Sequence, residues 1–189
     1  MVSMKTNRTQ YVILGMLSDQ AMSGYEIKKF IDLRFSFFWN ESYGQLYPQL
    51  NSLEKEGSIV STIDASSTRS RKTYALTQQG RKKLKEWLSL PVEEESVRYE
   101  ILLKLYFLKD MDVEIMKGHV EEFRQRYLKQ SYLLKMISSE LEGIVDEAEN
   151  HGDILRVVDF GRKVYQAYLD WCDETMTYLE KSKKHETKN

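Results

Sequence analysis

Gln45, Tyr47 and Asn51 place amide and phenol groups within seven residues of one another, beside Tyr43, Gly44 and Pro48. Amide side chains on a helix suit the edges of base pairs, and a glycine among them permits close approach to a groove. A second set is cationic. Arg69, Ser70, Arg71 and Lys72 lie at the far lip of a short polar loop, where they suit phosphate oxygens. Lys28 and Lys29 read as exposed cations on an earlier helix, suited to positioning that helix on phosphates. Other chemistry has little support. His119, His151 and His185 are far apart, with no cysteine or carboxylate at ligand spacing, so a metal site is not expected. There is no phosphate-cradling glycine loop, Glu93-Glu94-Glu95 reads as a solvated linker run, and Cys172 sits in an apolar stripe as a structural thiol. The sequence therefore implies no cofactor and no enzyme.

The elements needed to carry these residues are legible. Ser42 with Gln45 forms a capping box, Leu46, Leu50 and Leu53 form one apolar stripe, and Gly57 stops the helix. The polar and aromatic groups fall away from the leucines. Ser58 to Asp64 and Lys72 to Leu76 are β-prone runs joined by a polar loop, which predicts a hairpin with a basic tip. Thr77 caps a helix over Gln78 to Leu90. Upstream, Tyr11 to Leu17 is a compact apolar helix, and Ser23 with Glu26 opens another from Gly24 to Phe35. In it Tyr25, Ile27, Phe30, Ile31 and Phe35 are the inward candidates. Phe37, Phe38 and Trp39 pack the turn that follows. Helix, helix, hairpin is the winged helix-turn-helix order.

The chain has 189 residues and a net charge of −1, which hides a division. Residues 1–89 carry 13 Lys and Arg against 8 Asp and Glu; residues 90–189 carry 15 against 21. A basic half beside an acidic half suits a phosphate-facing module joined to an assembly module. No apolar run is long enough to span a membrane, the N-terminus lacks a signal-peptide core, and the lone cysteine fits a reducing compartment, so a cytoplasmic protein is expected. The expected organisation is a DNA-binding domain over 1–90, a linker over 91–95, a helical dimerisation domain over 96–185 and a tail over 186–189.

In that second half, Val97 to Leu108 is apolar almost all round and must be covered on several sides, lying between the DNA-binding unit and the helices after it. Asp112 to Glu149 repeats apolar residues at 3–4 spacing through Val113, Met116, Val120, Phe123, Tyr127, Leu134, Ile137, Leu141, Ile144 and Ala148. Asp153 to Lys183 carries two stripes. One is Ile154, Val157, Gly161, Val164, Tyr168 and Trp171; the other is Leu155, Val158, Tyr165, Leu169, Cys172, Met176 and Leu179. One stripe can meet the long helix. The other, taken as Leu155 to Leu179, needs a second copy, so a homodimer is expected.

The N-terminal ninety residues resemble the PadR family of bacterial transcription regulators. The likeness runs through Ser23-Gly24-Tyr25-Glu26-Ile27, Phe38-Trp39, Gly44-Gln45-Leu46-Tyr47-Pro48-Gln49-Leu50, Leu53-Glu54-Lys55-Glu56-Gly57, and Lys72-Thr73-Tyr74-Ala75-Leu76-Thr77-Gln78-Gln79-Gly80. Glu100 to Phe107 and the Tyr-rich last helix resemble the family's longer-tailed branch. The resemblance implies a dimeric winged-helix repressor of double-stranded DNA whose C-terminal helices join the subunits. In the name-giving members an aromatic acid relieves repression. A small phenolic ligand would here wedge among Tyr99, Tyr106, Tyr165, Tyr168 and Trp171. The overall expectation is a mostly α fold with a small two-stranded β-wing: a winged helix-turn-helix domain plus a helical dimerisation domain. A winged-helix adaptor that binds an acidic protein partner is the alternative.

Overall fold

A computed structural model describes residues 7–64, 71–143 and 150–186. Its chain divides into two compact units, residues 1–94 and 95–189. The fold is mostly helical with a small antiparallel sheet.

The first unit contains α1 (Thr9–Met16), β1 (Met22–Ser23), α2 (Gly24–Arg34), α3 (Tyr43–Lys55), β2 (Ile59–Asp64), β3 (Arg71–Leu76) and α4 (Gln78–Leu88). Both expected capping boxes form: Ser23 and Ser42 accept from the backbone N–H of Glu26 and Gln45, whose side chains reach back. Thr77 caps α4 through the Gly80 N–H. Leu46, Leu50 and Leu53 close over Ile13, Leu14, Ile27, Ile31 and Ile59 as one core. After α3, Gly57 adopts φ 78°, the left-handed conformation that ends a helix cheaply only at glycine.

Strands β2 and β3 pair from Ile59↔Leu76 to Asp64↔Arg71, as the hairpin reading required. The sheet has three strands, not two. Met22 and Ser23 pair with Tyr74 and Thr73, giving the order β1-β3-β2. A two-residue strand is too short to show alternation in sequence. On α2 the buried positions are Gly24, Ile27, Lys28 and Ile31, an i, i+3, i+4, i+7 stripe. That register turns Tyr25 outward to 61% exposure and brings Lys28 in to 9%, the reverse of the expected assignment.

The second unit contains α5 (Glu100–Tyr106), a short 3₁₀ turn at Leu108–Asp110, α6 (Val113–Glu142) and α7 (His151–Glu186). Arg124 bonds Asp173 and Arg162 bonds Ser138, so α6 and α7 run antiparallel. Met116, Val120 and Leu134 bury the α6 seam, with Phe123, Tyr127 and Ile137 half-buried; Ile144 and Ala148 lie outside the described residues. Helix α5 is shorter than expected and buries none of its residues. Leu102, Leu103, Tyr106 and Phe107 stand exposed there, so the all-round cover anticipated for this segment is absent within the described chain.

The stripe assigned to a second copy is the more deeply buried within this chain, although Tyr168 and Trp171 of the other stripe also meet α6. Val158, Tyr165, Leu169, Cys172 and Leu179 are buried, and Leu155 and Met176 half-buried. Cys172 and Leu179 share a core with Met116 and Val120. Both stripes have the same spacing, so periodicity alone does not say which meets α6.

Candidate nucleic-acid interface

Helix α3 presents Tyr43, Gly44, Gln45, Tyr47, Pro48 and Asn51 on its exposed side. Gln45 is partly committed: its Oε1 accepts from Ser42 N–H at 2.9 Å and from Ser42 Oγ at 2.8 Å, so the cap uses the amide oxygen and not its NH₂. Tyr43 and Tyr47, one turn apart, stack with ring centroids 6.0 Å apart. Tyr47 in turn lies over Gly24, where an added Cβ would come within 3.0 Å of its ring. The absent side chain at Gly24 therefore sets how closely α2 approaches the tyrosine.

Lys28 serves that arrangement from beneath. Its ammonium bonds Asp32 and sits 5.5 Å from the Tyr43 ring centroid. Buried to this degree, it does not present a charge to phosphate, which corrects the expected role. Lys29 remains exposed.

Ahead of α3, Glu41 is 4% exposed and takes hydrogen bonds at Oε1 from Thr9 Oγ1 (2.7 Å) and Trp39 Nε1 (2.8 Å). It ties α1 to the turn that launches the recognition helix. Nothing local in the sequence singles it out, because the tie to α1 comes from Thr9, 32 residues away. Behind α3, Thr77 Oγ1 donates to the Ser58 and Gly57 carbonyls, and Gln79 Nε2 donates to that of Glu56 at 2.7 Å. Lys83 pairs with Glu56 at 2.5 Å. Burial pulls the Glu56 carboxyl upward, yet hydrogen bonds from Lys83 and Ser58 hold it below its ordinary range.

On the wing, Arg69 and Ser70 lie outside the described residues, and Arg71 is described as the backbone partner of Asp64. Lys72 is not a free cation. Its Nζ donates to Glu54 Oε2 at 2.7 Å and lies 5.1 Å from the Tyr74 ring centroid. The bond to Lys72, followed by one from Ser61, holds the Glu54 carboxyl below its ordinary value.

In the second unit, four of the five aromatics proposed for an effector come together. Tyr99 and Tyr168 share a hydroxyl hydrogen bond, Tyr168 meets Tyr165 with ring centroids 6.1 Å apart, and Trp171 joins through Phe123. Burial, then the bond to Tyr99, raises the Tyr168 hydroxyl well above the ordinary phenol. Tyr106 does not belong: it is 82% exposed and packs on Phe107. Beside the cluster lies an open cleft of about 380 Å³, lined by Tyr99, Phe123 and Tyr127 with Arg98, Arg126 and His119, and also by Glu100 and Glu122, the former paired with Lys104 at 3.2 Å. Of the expected five only Tyr99 lines it. The two Arg-Tyr pairs, Arg98-Tyr99 and Arg126-Tyr127, were the available signal.

A basic winged helix-turn-helix with an amide- and phenol-bearing recognition helix defines the class of a DNA-binding regulator. Comparison with known proteins gives the family: residues 13–86 match the transcriptional regulator PadR-like family, and residues 97–180 match the virulence activator alpha C-terminal family. The first unit therefore holds a PadR-like transcriptional regulator domain. The chain is 26% identical over 183 residues to the negative transcriptional regulator PadR of Bacillus subtilis, covering 91% of this chain and 97% of that one. Its fold matches a PadR-like transcriptional regulator from Bacillus cereus with a TM-score of 0.76 at 25% identity, over 92% and 99% of the two chains. Bacillus subtilis PadR has been solved with operator DNA (TM-score 0.64, 26% identity, 90% and 98% covered) and with p-coumaric acid (TM-score 0.58, 26% identity, 90% and 98% covered). Among the described residues no helix is long and apolar enough to cross a membrane.

Proposed function

We propose that this chain is a repressor that binds a two-fold-symmetric operator as a homodimer and releases it when a small aromatic acid binds the second unit. The outward face of α3 carries the reading: the exposed Tyr47 and Asn51 would meet base edges, with Tyr43, the Gln45 amide and Lys29 toward the flanking backbone. The relative solved on operator DNA supports it. Two recognition helices would enter successive major grooves about 34–36 Å apart.

With the Leu155-to-Leu179 stripe occupied inside the chain, the faces left for a second copy are others. Leu128, Tyr132, Leu133 and Met136 on α6 and Val157 and Phe160 on α7 are exposed apolar residues in one helical pair. For the effector, the Tyr99–Phe123–Tyr127 wall suits a flat ring and the Arg98 and Arg126 rim suits a carboxylate. The relative solved with p-coumaric acid supports that class of ligand.

The test is fluorescence anisotropy with duplex DNA from upstream of the chain's own gene against a random duplex, repeated with p-coumarate. Preference for the upstream duplex, weakened by p-coumarate, is expected. Equal affinity for both duplexes sinks the repressor reading and leaves the adaptor, whereas preference without a p-coumarate effect removes only the effector.

A further inference from the structure

Register and burial put Lys72 on the underside of the wing. Ile59 and Ser61 on β2 pair with Leu76 and Tyr74 on β3, and Lys72 follows two residues from Tyr74 on the same face. That face is apolar and buried at Ile59 and Tyr74, carries Ser61 opposite Tyr74, and ends toward the tip with Lys72 opposite the exposed Ile63. Opposite stands Glu54, near the end of α3. Its Oε1 accepts from Ser61 Oγ and its Oε2 accepts from Lys72 Nζ at 2.7 Å, so one carboxylate grips both strands. Neither charge is buried outright: the Lys72 and Glu54 side chains are 39% and 30% exposed.

We propose that Lys72 is a positioning residue and not a phosphate contact: with Glu54 and Ser61 it forms a strut that fixes the angle between the wing and α3. The proposal rests on the DNA-binding reading above, since that angle matters when the helix lies in a groove while the wing meets the backbone. A side chain that aims a reading element acts through geometry held to a fraction of an ångström. The hydrogen bonds of Glu54 join the three elements concerned: α3, β2 and β3. The bonds from Lys72 and Ser61 hold the Glu54 carboxyl below its ordinary value, in keeping with a carboxylate gripped from both strands.

The experiment is a double-mutant cycle on the full chain with Glu54→Gln, Lys72→Met and the pair, each titrated with operator DNA across a salt series. Thermal unfolding checks that every variant is folded. Each single substitution is expected to weaken operator binding about tenfold, within the usual coupling inside one ion-pair network, and the pair to be no worse than the weaker single. Lys72→Arg, which still reaches Glu54, is expected to restore binding. A phosphate contact would behave otherwise. Lys72→Met would then lower the salt slope by about 0.9 and lose as much affinity in the Glu54→Gln background as in the parent, and either result overturns the strut. If the unsubstituted chain prefers no operator, the repressor reading fails by itself. The strut is then read from urea unfolding of the same four chains, where additive losses overturn it and coupled losses support it.

Discussion

Helix α3, of 13 residues, is fastened at both ends by side chains of other segments, whereas α6 and α7, of 30 and 36 residues, meet mainly through an apolar seam. At α3 the Ser42–Gln45 box and the Glu41 ties hold the start, and Thr77, Gln79, Lys72 and Lys83 hold the end. Across the long pair the polar links include Arg124 to Asp173 and Arg162 to Ser138. Polar fasteners fix direction, because hydrogen bonds are directional, while an apolar seam mainly fixes proximity. The first region is built to aim side chains. The second is built to hold two helices together with freedom in how they adjust.

The largest effect that bears on this contrast is expected from the core beneath α3. Leu50→Ala should cost about 3 kcal/mol, the usual range for a buried leucine, and lower only one of two urea transitions followed by circular dichroism. Equal loss in both transitions would show that the units do not unfold separately. Cys172 reports on the other region. Burial, reinforced by Asp173, pushes its thiol up to about 11, so at pH 8 a thiol reagent should label the native chain roughly a hundredfold more slowly than the urea-unfolded one. Rapid native labelling would mean that the α6–α7 seam opens readily.

A smaller change is expected at the reading face itself. Asn51→Ala should weaken the preferred duplex by about 2 kcal/mol while leaving random DNA nearly unaffected, as read by competition anisotropy. Unchanged preference would remove Asn51 from the base-reading set. Smallest is Ser42→Ala, which deletes one cap and should cost about 1 kcal/mol in urea unfolding. No loss there would argue that the remaining fasteners alone hold α3.

The same contrast explains what the sequence could and could not disclose. Ser23 with Glu26, Ser42 with Gln45, and Thr77 were readable because a cap and its partner lie within three residues. The leucine stripe of α3 was readable for the same reason. Lys28 and Tyr25 exchanged places because a one-residue shift in which face α2 buries is decided by Gly24 meeting Tyr47, a contact between helices. Lys72 looked like a free wing cation because Glu54 lies 18 residues away. In α7 both stripes were visible, yet their allotment to α6 depended on a partner that periodicity does not name. At the cleft, Phe123 and Tyr127 read as seam residues, although Tyr127 faces both the Tyr168 ring and the opening.

Pairing Met22 with Tyr74 and Ser23 with Thr73 closes the chain around α2, α3 and β2. Such a closure carries an entropic cost that local helix and hairpin formation do not, so it belongs late in folding. During synthesis the order is stricter still. Ser42 and Gln45 emerge together and can start the helix, but Lys72, Thr77, Gln79 and Lys83 emerge only afterwards. A nascent chain halted before residue 72 displays the whole outward face of α3 without Lys72, Thr77, Gln79 or Lys83 to hold its C-terminal end.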